Sequence, residues 1–221
     1  MTHRVHPYSF RLGQVRDWKS RWFDLRNFRH LLKADVKLRS WLEDKLSKMY
    51  VSKIEIERSP TVLKIIIRTS RPGLIIGRSG AGANLLKNQI EKLFEKFSMP
   101  KPRELQLAIE EVKNPETDAA IVVKIVAENL EKRLSFRRVL KQTLNKVSAH
   151  KEVRGVKIAL AGRLDGSEMS RREWLLSGRI PLQTIRADID FARGRAKLPY
   201  GDIGIKVWIY KGDVFDKHVI S

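Results

Sequence analysis

The segment Gly77-Arg78-Ser79-Gly80 breaks an apolar run and leads into a helical pattern. Two glycines three apart permit positive φ, and without a Cβ they let a phosphodiester approach the backbone closely. The helix that follows offers free N–H groups and the positive end of its dipole, both of which attract phosphate. Arg78 adds a charge at the tip, and Ile75 and Ile76 are placed to anchor the turn to a core. These are the features of a G-x-x-G clamp for single-stranded RNA backbone. A Gly-x-x-Gly can also be a plain strand-to-helix turn, so its weight comes from the Ile pair, the Arg and the surrounding elements. Two other phosphate loops fail on spacing. A P-loop needs G-x-x-x-x-G-K-[ST], whereas three residues separate Gly73 from Gly77 and Arg78-Ser79 follows. A dinucleotide G-x-G-x-x-G beginning at Gly80 and Gly82 ends on Leu85.

A second signal starts at Phe136. At about 100° per residue, Phe136, Val139, Leu140, Thr143, Leu144 and Val147 share one face, and Arg137, Arg138 and Lys141 share the opposite one. Six basic residues and no acidic one lie between Lys132 and Lys146. Solvated helices usually mix signs through pairs four apart. A face of one sign repels itself unless an anion sits on it, so nucleic acid is the expected partner.

Arg171, Arg172, Arg179 and Arg186 form a third cluster, with Trp174 beside them. Arg pairs bidentately with phosphate and stacks on bases, while Trp174 is read as a core residue. Arg193, Arg195 and Lys197 are read as a glycine-containing loop that contacts RNA phosphate. Catalytic constellations are thin. Asp188 and Asp190 could hold a metal, but the alternation Ala187, Ile189, Phe191 turns both carboxylates outward toward neighbouring Arg. No nucleophile–base pair stands out, and no cofactor or metal is expected.

The elements that must position these residues follow from hydrophobic periodicity. Helices are predicted over 28–49, 81–97, 115–134 and 136–149. Asn114 and Ser135 are the expected N-caps of the last two, with Pro115 at N1. Leu31, Leu32, Val36, Leu38, Trp41, Leu42 and Leu46 supply the apolar positions of the first. Strands are predicted over 51–57, 62–67, 104–112, 155–164, 182–191 and 203–210, with Gly194, Pro199 and Gly201 between the last two. The first half therefore reads α-β-β-loop-α-β. Three segments are expected: a basic N-terminal arm (1–27) that orders only against partners, an RNA-binding domain (28–113) and a C-terminal α/β domain (114–221).

Composition bounds the rest. Lys plus Arg number 45 and Asp plus Glu 25, which gives a formal charge of +20 over 221 residues. A chain this basic faces a polyanion. With no Cys, disulfides, zinc–thiolate sites, iron–sulfur clusters and cysteine nucleophiles are excluded. No run approaches the ~20 apolar residues of a membrane helix, and the first twenty residues lack a signal-like apolar core. No membrane partner is expected.

Long ordered motifs resemble one known family. They include Arg4-Val5-His6-Pro7, Phe10-Arg11-Leu12-Gly13, Arg21-Trp22-Phe23, Ile54-Glu55-Ile56-Glu57-Arg58 and Arg71-Pro72-Gly73-Leu74-Ile75-Ile76-Gly77. Later ones are Phe136-Arg137-Arg138, Gly162-Arg163-Leu164, Arg179-Ile180-Pro181-Leu182, Ile185-Arg186-Ala187-Asp188-Ile189-Asp190 and the stretch from Tyr200 to Ile209. In these the chain resembles bacterial-type small-subunit ribosomal protein S-three. The resemblance implies an α+β fold, a type II KH domain followed by a C-terminal α/β domain with a mainly antiparallel sheet. It implies a non-enzymatic constituent of the small-subunit head, in cytoplasmic or organellar ribosomes. Small-subunit rRNA, mRNA and neighbouring head proteins would be its partners. The family lines the channel by which mRNA enters and is linked there to melting mRNA structure; Arg137, Arg138 and Lys141 occupy its channel-facing positions. Gly77, Arg78, Ser79 and Gly80 are the expected KH loop, although many members carry a basic residue where this chain has Ser79. Arg4, Arg11, Arg171, Arg172, Arg179 and Arg193 are further expected RNA contacts. The alternatives are a free KH-type regulator, or a nucleic-acid lyase of the kind attributed to some eukaryotic relatives.

Overall fold

The computed structural model describes residues 5–97 and 103–215 of the chain. In order, the elements are α1 (Pro7–Phe10), β1 (Ser20–Arg21), α2 (Phe28–Lys45), β2 (Val51–Arg58), β3 (Val62–Thr69), α3 (Pro72–Ile76), α4 (Ala81–Lys96), β4 (Glu104–Glu111), α5 (Ala119–Glu131), α6 (Phe136–Ser148), β5 (Gly155–Gly162), β6 (Arg171–Gly178), β7 (Ala187–Leu198) and β8 (Gly201–Asp213). They divide into two units. One spans residues 18–113, and the other joins residues up to 17 with those from 114 onward.

The 18–113 unit carries a sheet of order β1-β2-β3-β4. β2 and β3 pair antiparallel, and β1 and β4 add parallel strands at the edges. Ile54, Ile56, Leu63, Ile65, Ile67 and Leu105 meet Leu38, Leu42, Leu46, Leu86, Ile90, Leu93 and Phe94 in one core. The stripe that α2 buries is Ala34, Asp35, Leu38 and Leu42. Leu32 and Val36, expected in that stripe, lie about 105° and about 145° from its centre around the helix and are exposed. The other face of the sheet is covered by charge. Arg21 pairs with Glu55 and Glu57, Lys64 with Glu57, and Arg68 with Glu55 and Glu110. Ile66 is buried among the side chains of this face, so β3 is apolar on both sides, as its continuous Ile run predicts.

The 114–215 region carries an all-antiparallel sheet of order β6-β5-β8-β7. α5 and α6 bury one side of it. Val122, Val126, Leu130, Phe136, Val139, Leu140 and Val147 pack on Val156, Ile158, Leu160, Ile205, Val207 and Ile209. Asn114-Pro115 does not open α5. Pro115–Thr117 is a single 3-10 turn, and Asp118 is the N-cap, its carboxylate accepting from Ala120 N and Ile121 N at 2.9 and 3.3 Å. Asp can satisfy two of the free first-turn donors at once, which places the cap at Asp118. Ser135 stands at the N-cap of α6 but makes no side-chain cap bond.

Two strand expectations are corrected. β6 is a strand through Arg171, Arg172 and Glu173, whose charges hid its alternation. The strand expected over 182–191 lies at 187–198 instead. Gly194 is therefore inside β7, where a Cβ would run into the Val123 side chain of α5. Arg193, Arg195 and Lys197 stand on this strand and not in a loop.

Residues 5–17, expected as part of a free arm, pack on the C-terminal sheet. Arg11 is fully buried. Its guanidinium donates to the carbonyls of Ala187, Pro7, Pro181, Leu182 and Thr184 at 2.7–3.4 Å. The carbonyls of Pro181, Leu182 and Thr184 thus turn toward Arg11, and β7 begins at Ala187. Residues 20–21 belong to the first sheet through Ser20↔Ile56 and Arg21↔Glu57. The first 27 residues are thus distributed over both units.

Candidate nucleic-acid interface

The loop before α4 is shaped by three residues in the left-handed region or near it. Gly77 has φ 70°, ψ −176°, Ser79 φ 52° and Gly80 φ 78°. Gly77 N donates to Gly73 O at 3.0 Å and closes the short α3 turn. α4 then begins with Gly80 as its N-cap and no side-chain cap bond, and the Ala81 N–H donates to Arg78 O. Arg78 is exposed at the tip. Of the two anchors, only Ile75 is buried, at 3% exposure; Ile76 is 37% exposed, and Leu74 and Leu85 are open as well. An apolar margin therefore flanks the loop where two core anchors were expected.

Gly82 is a residue the sequence reading missed. Its backbone lies so close to the preceding turn that a Cβ would stand 2.6 Å from Ile75 O and 3.0 Å from Ile76 O. Backbone cannot move aside as a side chain can, so Gly82 sets how tightly the loop folds back on α4. Gly82→Ala is expected to cost about 1–3 kcal/mol, as overpacking does, read from urea denaturation of the full chain. Wild-type stability in that variant would show that the loop has room to shift.

On α6 the two faces separate as the sequence predicts. Phe136, Val139, Leu140, Thr143 and Val147 are buried, and Arg137, Arg138 and Lys141 are exposed. Among the described residues none of these three cations has a carboxylate partner. The neighbouring Lys132, by contrast, holds Glu128 at 2.6 Å. Arg137 and Arg171 both lie over the Phe136 ring, 5.6 and 5.4 Å from its centroid. Arg171, from β6, thus extends the basic surface of α6.

The remaining expected contacts separate. Arg4 lies outside the described residues. Arg11 is not available to RNA: burial pulls its pKa down, and its donors are all directed at backbone carbonyls. Arg172 and Arg193 are exposed on the open side of the C-terminal sheet. Arg179 is exposed beside Tyr210 and Asp213. The Tyr210 hydroxyl donates to Asp213 at 2.7 Å; that bond, then Arg186 and Arg179, hold the Asp213 carboxyl below its usual range. Trp174, expected in the core, is 51% exposed on edge strand β6. Its ring carries the Lys157 ammonium 4.5 Å from the centroid.

The two carboxylates weighed for metal chemistry are engaged in structure. Asp188 binds Arg16 at 2.6 Å, and Asp190 accepts from Ala119 N at 2.8 Å at the start of α5. Among the described residues no group of three His, Asp or Glu could hold a metal ion. None of the described helices is long and apolar enough to cross a membrane.

Comparison with known proteins matches this division of the chain. A model of the KH domain matches residues 37–117, and one of the ribosomal protein S3 C-terminal domain matches residues 126–209. The chain is 46% identical to small ribosomal subunit protein uS3 of Koribacter versatilis, over 97% of this chain and 92% of that one. It is 44% identical to the uS3 protein of Maridesulfovibrio salexigens over 99% of both. The uS3 protein of Desulfovibrio desulfuricans is 41% identical, again over 99% of both. With the KH loop ahead of α4 and the S3 C-terminal sheet behind α6, the chain belongs to the uS3 family of small ribosomal subunit proteins.

Proposed function

We propose that the chain is a non-enzymatic constituent of the small ribosomal subunit, in the cytoplasm, bound to small-subunit rRNA and neighbouring head proteins. Its α6 face contacts mRNA in the channel by which the message enters. The observation that carries this reading is α6 itself. Three exposed cations, Arg137, Arg138 and Lys141, with no carboxylate partner among the described residues, sit on a helix whose other face is fixed in the core. Such a face is rigid, so its charges are held where they are and not spread over a mobile tail. Phosphates passing it gain attraction without sequence preference, which suits a surface that must hold any message and bias it against refolding.

The KH loop serves a different strand. Gly77, Arg78, Ser79 and Gly80 clamp a single-stranded backbone against the uncapped start of α4, with Leu74, Ile76 and Leu85 offering apolar contact to its bases. Arg171 and Arg179 add phosphate contacts at the margins of the C-terminal sheet.

The test is the triple variant Arg137→Ala, Arg138→Ala, Lys141→Ala, built into ribosomes. Its fold is expected intact, because all three side chains point to solvent. Translation of messages with a stable hairpin downstream of the start is expected to slow several-fold, while unstructured messages translate normally. Normal translation of the hairpin messages would remove the channel assignment. The wider reading is checked by sedimentation in magnesium: the chain is expected to travel stoichiometrically with the small subunit through a moderate salt wash.

A further inference from the structure

The two sheets leave very different surfaces open. On the 18–113 sheet the cations Arg21, Lys64 and Arg68 are each matched by Glu55, Glu57 or Glu110. That face is closed electrostatically. On the C-terminal sheet, the side away from α5 and α6 places Arg172 of β6, Lys206 of β8, and Arg193 and Arg195 of β7 around one groove. All four are exposed. Asp202 reaches Arg195 at 3.7 Å; among the described residues no carboxylate pairs with Arg172, Arg193 or Lys206. A sheet surface of this sign is self-repelling unless an anion occupies it.

The floor of the groove is apolar and low. Ala159, Ala161 and Gly204 line it, and it encloses about 500 Å³. At one end stands an aromatic group. Lys157 lies between Trp174 and Trp208, 4.5 and 5.7 Å from their centroids, and Trp208 continues to Phe191 at 5.2 Å. The far end of the sheet is already covered, since His6 meets Phe191 edge-on and Ile180 and Leu182 pack against the cluster that contains Ile189 and Tyr210. Chain therefore covers the apolar surface around Ile189 and Tyr210 and leaves the Trp174 side and the cations open.

From this juxtaposition we propose that the open face of the C-terminal sheet is a platform for single-stranded RNA, with phosphates on Arg172, Arg193 and Lys206 and a base against Trp174. Duplex RNA keeps its bases stacked inside, whereas the half of the Trp174 indole that Lys157 leaves exposed can receive an unstacked base. A four-stranded sheet that offers aromatics and cations on its open side is a general solution to this task. The platform is separate from the KH loop and from α6; Arg172 and Arg193 are already expected RNA contacts, and what the structure adds is Lys206, Trp174 and the groove that brings them to one face.

The experiment uses the purified full chain and an octauridylate carrying one 4-thiouridine. Affinity is read by fluorescence anisotropy, and crosslinked peptides are mapped by mass spectrometry. Crosslinks are expected in the β6 segment around Trp174 and in β8 around Lys206. Arg172→Ala with Lys206→Ala should lower affinity about tenfold. It should also reduce the slope of log K against log salt by roughly 1.4, two phosphates at about 0.7 each. Trp174→Ala should weaken binding about tenfold with the slope unchanged, the signature of stacking, and Trp174→Phe should restore most of it. Thermal melts of these variants are expected to match wild type. If the α6 triple variant weakens the octamer and the sheet variants do not, the platform is wrong and the α6 reading survives. If only the sheet variants act, the reverse holds. An equal-length duplex that binds as tightly as the octamer also overturns the proposal. In isolated small subunits, protection of Lys206 from acetylation without message assigns the strand to rRNA, and protection only with message assigns it to mRNA. A Lys206 as reactive there as in the free chain overturns the platform.

Discussion

Arg11→Ala is expected to lower the stability of the C-terminal unit by about 3–5 kcal/mol, at the large end for one substitution. Its guanidinium is fully buried and reaches five carbonyls that belong to four separate points of the chain, Pro7, Pro181–Leu182, Thr184 and Ala187. Burial depresses the pKa, but from so high a starting value that the group stays charged at neutral pH. Hydrogen bonds to a charged donor are worth about 1.5–3 kcal/mol each. Five of them on one side chain are not additive, and water entering the vacated space would recover part of the loss. What water cannot do is fix the 179–186 segment, because the planar fork of Arg11 holds three of its carbonyls at once to residues 5–17. Lysine keeps the charge but offers a point donor on a flexible stem, so Arg11→Lys should recover less than half. For a chain of this size the loss corresponds to a fall in Tm of roughly 6–20 °C, read by calorimetry on the full chain. A change under about 1 kcal/mol would mean that residues 5–17 are not docked in solution and that the free-arm expectation describes the isolated protein better.

That expectation shows where sequence reading stops. The arm has no apolar periodicity, and periodicity is what identifies an element. Its order comes from one long polar side chain buried among carbonyls distant in sequence, and no local pattern announces such a contact. The strand expected at 182–191 is shifted in the same region: its apolar alternation is real, but the carbonyls of Leu182 and Thr184 turn toward Arg11. β6 was hidden for the opposite reason. As an edge strand with one open face it tolerates Arg171, Arg172 and Glu173, so composition there looked like a charged surface and not like a ladder. By contrast α4, α6, β2 and β4 were legible nearly to their ends, because each buries one face and leaves the other wet, and β3 was legible from its continuous Ile run.

The candidate site divides along the same line. The α6 face was legible because helical geometry alone separates Arg137, Arg138 and Lys141 from Phe136, Val139 and Leu140. The KH loop was legible as two glycines three apart, but the tight approach at Gly82 depends on where the Ile75 carbonyl ends up. Arg193 and Lys206 stand opposite each other on paired strands, and Trp174 joins them only through the β5 pairing. The alternation Gly204, Lys206, Trp208 hinted at an outward basic position on β8. Which strands lie beside it is a property of strand order, and strand order is not written in any single segment.

In the 18–113 unit the corresponding large effect is expected at Asp35. It sits on the buried stripe of α2, 1% exposed, an unusual place for a carboxylate. Arg58 of β2 donates to one of its oxygens through Nε and Nη2 at 2.8 and 2.6 Å, and Trp22 Nε1 donates to the other at 2.7 Å. The pair thus ties α2 to β2, and the indole ties the segment after β1 to the same carboxylate. Asp35→Ala leaves a cation whose side chain is 9% exposed without its partner, and it leaves an indole N–H unbonded. Breaking a buried pair from one side costs about 3–5 kcal/mol, chiefly through the charge left behind. The decisive comparison is with Asp35→Leu combined with Arg58→Met, which removes both charges and fills most of the volume. That double variant is expected to lie within about 1 kcal/mol of wild type in urea denaturation, since apolar replacement of a buried pair is often neutral. Its Trp22, no longer held, should show faster quenching by acrylamide than in wild type, while the core around Phe94 and Ile65 is unchanged. If the double variant is as unstable as Asp35→Ala, the lost stability lies in the geometry that the carboxylate imposes on α2 and Trp22, and the unpaired charge is not the cause.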